Sequence, residues 1–250
     1  MRQTRDSLIW IGLAAVTAAC WLWIVPMARD MYGPMTGPSA WMMAGTWDAR
    51  YTLLMWAMWA VMMAGMMLPS ATPLLLLYAA AQRRAPETRH SVSRVYVLAG
   101  GYLLVWLLFS AAATLLQRVL SGLLLMTPMM ETATPMVSGV FLLVAGVYQL
   151  TPLKAACLRA CRSPLSFITR RRRGGTSGAF HMGIDHGAYC LGCCWALMLL
   201  LFAGGVMNLW VIGALTIFVL VEKLAPFGAQ TGRITGVVLI ALGAWTWLGV

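Results

Sequence analysis

His181, Asp185, His186, Cys190, Cys193 and Cys194 fall within one stretch, His-Met-Gly-Ile-Asp-His-Gly-Ala-Tyr-Cys-Leu-Gly-Cys-Cys-Trp, which runs into the apolar segment Ala196 to Ala203. Thiolate and imidazole are ligands for soft and borderline metal ions. On a helix Cys190, Cys193 and Cys194 share one face, and His186 lies one turn earlier on it. Ionisable groups at the mouth of a segment that enters lipid are costly, so by default they mark a functional site. A buried cysteine also serves as a small hydrophobe. Three within five residues, behind an acid and an imidazole, argue instead for a metal site. Asp185 is a ligand, a partner that orients an imidazole, or a counter-charge for arginine; His181 is a weaker ligand candidate than His186. Spacing alone does not separate Cu(I) from Zn(II).

Two more thiols, Cys157 and Cys161, stand four residues apart after Pro152, a residue suited to a helix start. They share a helical face, and four thiolates from two helices would then converge. Met55, Met58, Met62 and Met66 form a helical stripe, with Met63 and Met67 alongside. Such a stripe is ordinarily packing. Methionines nevertheless crowd the outer loops, at Met35, Met42 and Met43 among others, while five of the six cysteines sit at the other side. Thioethers survive an oxidising compartment and free thiols persist in a reducing one. A Cu(I) route from methionine to cysteine needs that arrangement, so Cu(I) is favoured and Zn(II) stays open. Glu222 is placed level with the cysteines, either to balance Lys223 or an arginine, or to balance a metal.

The elements that must carry these residues are membrane helices. The chain is 61% hydrophobic and 10% charged, against roughly 25% charged in a soluble domain. About seven apolar spans are expected, near 8–28, 52–81, 95–117, 136–151, 179–203, 207–222 and 233–249, in one all-α polytopic domain over 1–250. Pro69 and Pro73 predict a kink or break in the second span. A basic, cysteine-containing inner loop follows at about 152–178, ending in a flexible hinge at Arg170 to Gly178. The net charge of +11 does not indicate nucleic acid, because the charges flank apolar runs and bias topology. With the N-terminus cytoplasmic and the C-terminus periplasmic, 15 of the 18 Lys and Arg residues face inward. Trp21, Trp23, Trp41, Trp47, Trp210, Trp245 and Trp247 then form an outer belt.

Met-Met-Leu-Pro-Ser-Ala at Met66 to Ala71, Cys-Leu-Arg-Ala-Cys-Arg-Ser-Pro at Cys157 to Pro164 and His-Gly-Ala-Tyr-Cys-Leu-Gly-Cys-Cys-Trp at His186 to Trp195 resemble a bacterial family of predicted metal-binding integral membrane proteins, a domain of unknown function. The resemblance spans most of the chain beyond the first helix. It implies a bacterial inner-membrane location and metal binding, and supplies no reaction. The leading expectation is Cu(I) transport or delivery, with the lipid bilayer and a metal chaperone or larger membrane complex as partners. A membrane thiol-disulfide oxidoreductase, through Cys190-x-x-Cys193, and a non-catalytic subunit with structural zinc are the alternatives. No nucleophile–base pair or nucleotide-binding glycine loop is present, so no catalytic residues are assigned. A single cysteine placed at Ser177 on a cysteine-free background should react with a membrane-impermeant thiol reagent only from the cytoplasmic side; labelling from the periplasm would reverse the topology.

Overall fold

The computed structural model describes residues 2–33, 37, 40, 46–82, 91–170 and 174–248. Met35, Met42, Met43, Trp41 and the arginines at 83–89 and 171–173 lie outside the described residues. Among the described residues the chain folds as helices α1 (Arg2–Met31), α2 (Ala49–Gln82), α3 (Ser91–Gly122), α4 (Pro135–Gln149), α5 (Pro152–Arg162), α6 (Pro164–Arg170), α7 (Gly175–Met198), α8 (Leu200–Gly204), α9 (Leu209–Leu224) and α10 (Gly228–Leu248). Five segments are long and apolar enough to cross a bilayer: Ser7–Met31, α2, Val92–Gly122, Gly175–Gly204 and α10. α4 and α5, bent by 66° to each other, make a sixth if taken as one broken span. α9 has 16 residues, short of the roughly 20 that a full crossing takes. The expected seven spans thus become five, or six with the bent pair, by length and apolarity.

The short helices start where their sequences dictate. Thr151 accepts from the Lys154 amide at 3.2 Å with Pro152 in the first turn, and Thr134 caps α4 in the same way ahead of Pro135. Asn208 accepts from the amides of Trp210 and Val211 at 3.1 and 3.4 Å and begins α9. Pro164 ends α5 and opens α6 after Ser163. Most of the stretch expected as an inner loop is therefore helical.

Small residues let helix backbones approach closely. α4 and α10 meet through glycines seven residues apart on each. A Cβ at Gly146 would lie 2.8 Å from the Gly236 carbonyl oxygen, and one at Gly139 would lie 3.0 Å from that of Gly243. α3 and α7 meet in the same fashion. A Cβ at Gly183 would overlap the Leu98 carbonyl oxygen and stand 3.0 Å from the Tyr102 amide. This contact sets Tyr102 against the cysteine face of α7.

Of the expected kink or break in α2, a break is absent: the helix runs continuously through Pro69 and Pro73. Pro69 has no amide for the Gly65 carbonyl, and the Trp21 indole of α1 donates to that carbonyl instead, at 3.2 Å. Gly65 is near the middle of α2, so Trp21 belongs inside the bundle and not to an outer belt. Trp210 and Trp245 are exposed.

One end of the bundle gathers the turns after α1, before α4 and before α9. Tyr32 donates to Glu131 at 2.7 Å, and the Val206 amide donates to the Met130 carbonyl at 3.2 Å. Burial, and then the Glu131 carboxylate, push the Tyr32 phenol well above its ordinary pKa. At the other end Arg162 ties α5 to the end of α9, donating to the carbonyls of Glu222, Ala225 and Pro226. Replacement of Gly183 by Val should cost about 1–3 kcal/mol through overpacking, seen as a lowered unfolding midpoint in detergent.

Candidate metal centre

The cysteine-bearing face of α7 turns into the bundle. Cys190, Cys193 and Cys194 are each 1% exposed or less, and His186 is 4% exposed. α5 lies across α7 and delivers its two thiols to the same place. Cys161 Sγ is 3.9 Å from Cys193 Sγ. Cys157 packs on Gly192, where a Cβ would stand 2.8 Å from its sulfur. Tyr148 of α4 donates to the Gly192 carbonyl, which fixes the same turn of α7 from a third side. α5 and α7 thus bring Cys161 and Cys193 together, with Cys157 against the neighbouring Gly192, and all six cysteines are free thiols.

The remaining candidates are dispersed. His181 is exposed, with Nδ1 2.8 Å from the Ser177 carbonyl oxygen on its own helix. Asp185 is partly exposed one residue before His186. Met55, Met58, Met62 and Met66 are completely buried in the core, as are Met63 and Met67. The Gln117 amide lies 3.8 Å from the Met55 sulfur and accepts from the Trp59 indole at 2.7 Å.

The sulfurs are engaged by neighbours that sequence reasoning did not assign to the site. Lys223 Nζ is 2.7 Å from Cys190 Sγ and donates to Ser70 Oγ at 3.1 Å. The Tyr102 hydroxyl lies 3.0 Å from the same sulfur and 3.0 Å from the Met67 carbonyl oxygen. Cys193 and Cys194 both donate to the Cys190 carbonyl at 3.0 Å. With the thiols so disposed, no three His, Cys, Asp or Glu side chains among the described residues form a metal-binding group. A cavity of about 150 Å³ adjoins them, lined by Ser70, Pro73, Cys161, Arg162, His186 and Lys223. His186 Nδ1 is buried without a hydrogen-bond partner among the described residues. Its ring is packed between Tyr102 and Phe167 of α6, at centroid distances of 5.8 and 5.3 Å.

Lys223 carries a sequence signal, an ionisable residue at the end of an apolar run; Ser70 stands inside the Met-Met-Leu-Pro-Ser-Ala motif, and Tyr102 has no sequence signal. Glu222, one residue earlier, does not balance Lys223. It pairs with Lys154 of α5, and both are almost wholly buried.

A family model described as PpoB2, copper chaperone, matches residues 56–246. The chain belongs to that family. The PpoB2 match runs from α2 into α10, includes every thiol of the cluster, and leaves α1 outside. No curated protein and no solved structure matches the chain. The copper chaperone description agrees with a copper-handling role in general.

The Lys154–Glu222 pair sets a stability test. Removing one partner of a buried pair strands a charge and costs about 3–5 kcal/mol, whereas replacing both by apolar residues is near neutral. Lys154→Met should therefore unfold at markedly lower temperature, and Lys154→Met with Glu222→Leu should recover most of that loss.

Proposed function

We propose that the protein binds Cu(I) at the α5–α7 thiols and hands it to a protein acceptor. The observation that carries this reading is the 3.9 Å separation of Cys161 and Cys193 across two helices. Two metal–sulfur bonds of about 2.3 Å would span that gap at an angle of about 115°. Cys190 and His186 flank the pair, and the adjoining cavity gives an ion a way in. Cys193 and Cys194 now point their thiols at the Cys190 carbonyl, so loading requires those side chains to turn and lose their protons.

Charge favours a monovalent ion. Cu(I) on two thiolates carries one net negative charge, and the Lys223 ammonium returns the buried site to neutrality. Zn(II) on the same two thiolates is already neutral, so the ammonium would then be an uncompensated charge in a medium that penalises it. The methionine stripe is proposed as a set of weak soft sites leading from the other end of the bundle. The proposed orientation puts the thiol end in the cytoplasm, in line with the positive-inside bias. Delivery by ligand exchange is preferred to pumping, because the chain has no nucleotide-binding loop.

Copper and zinc content, and Cu(I) affinity against a competing chelator, test this on protein purified anaerobically. Cys161→Ser and Cys193→Ser should each abolish tight Cu(I) binding. Lys223→Met should narrow the Cu(I)-over-Zn(II) preference by about 10–100-fold, the scale of effects from groups next to metal ligands. Met58→Leu, Met62→Leu and Met66→Leu combined should leave affinity intact and slow loading. Stoichiometric zinc that Cu(I) does not displace would overturn the copper reading in favour of a structural zinc site.

A further inference from the structure

A second cavity, of about 640 Å³, opens where α4 meets α5, where α9 ends and along the start of α10. It lies at the bundle end that Arg162 ties together and shares only that residue with the lining of the cavity beside the thiols. Its polar wall is uneven. Lys154 and Glu222 form its buried floor, 2% and 1% exposed. Arg162 sits at one side, engaged with carbonyls of the α9 end. Arg159 and Arg233 stand exposed at the rim, from α5 and α10, with no ion pair among the described residues. Taken together these groups leave an excess of positive charge, which calls for an anion.

Two further observations say what kind. Glu222 Oε1 is used by Lys154 and Gln149, but Glu222 Oε2 is buried with no hydrogen-bond partner among the described residues. A buried carboxylate oxygen without a donor is costly, so the occupant should bring a donor as well as an anion. The helices that frame the cavity also carry exposed apolar side chains. Leu150 and Leu153 beside it, Val144 and Val147 along α4, and Ile234 and Val237 along α10 are all exposed. Such side chains suit acyl chains, and the cavity lies where α5 turns from α4 by 66°.

We infer that this cavity is a phospholipid headgroup site: Arg159 and Arg233 hold the phosphate, and Glu222 Oε2 accepts from a primary ammonium such as that of phosphatidylethanolamine. Arginine presents a planar fork that matches phosphate oxygens in pairs. Phosphatidylcholine offers the same phosphate but a quaternary ammonium without an N–H, and so leaves Glu222 unmatched. Gly232 makes the floor possible, since a Cβ there would overlap Glu222 Oε1 and approach Lys154 Nζ to 3.6 Å.

The test is native mass spectrometry of the full-length protein released from vesicles of phosphatidylcholine doped with phosphatidylethanolamine. One phosphatidylethanolamine should stay bound through detergent washing, preferred over phosphatidylcholine by about tenfold or more, as the loss of one charge-assisted hydrogen bond implies. Arg159→Gln with Arg233→Gln should remove that retained lipid while leaving Cu(I) affinity unchanged, which keeps the result independent of the copper reading. Equal retention of both lipids, or equal retention by the double variant, would overturn the inference. Displacement of the bound lipid by millimolar inorganic phosphate would also overturn it, in favour of a free-phosphate site.

Discussion

A buried ammonium must find acceptors inside the protein, and that of Lys223 finds them on different helices. Its contacts are the sulfur of Cys190 on α7 and the hydroxyl of Ser70 on α2, with Tyr102 of α3 touching the same sulfur. An unmatched charge at this depth would cost several kcal/mol, so these helices are held to one mutual position. The Gly183 approach of α3 to α7 and the Arg162 clasp on the α9 end place Tyr102 and Lys223 where that requirement is met. The thiols of α5 then arrive against a face that is already fixed.

The sequence pattern was most legible where the chemistry was local. Cysteines at helical spacing on α5 and α7 predicted a shared face on each helix, and the two faces do meet at Cys161 and Cys193. The all-α bundle followed from composition and apolar length. What escaped were pairings across long separations. Lys223 contacts Cys190 while its neighbour Glu222 pairs with Lys154, because adjacent residues on a helix point about 100° apart and serve different partners. Residue type alone left Lys223, an arginine or a metal open as the partner of Glu222. His181 shares the motif with His186 but sits exposed, with Nδ1 beside the Ser177 carbonyl of its own helix.

The methionines show how packing and chemistry overlap. Met58, Met62 and Met66 fill the centre of the bundle without a gap to solvent. Unbranched and polarizable, they can repack at low cost, so a thioether core is compatible both with tight packing and with brief ligation of a soft ion. Leucine in the same places would retain the first property and lose the second.

The hydrogen bond from Trp21 to the Gly65 carbonyl has a consequence for which parts of the chain are separable. Pro69 lies within the segment matched by the family, yet the donor that answers its missing amide comes from α1, outside that segment. A carbonyl at this helix contact that loses the indole is left without a protein donor. The first helix is therefore a structural tenant of the second, and a truncation that removes it would present α2 with an unanswered carbonyl at mid-depth, next to the methionines.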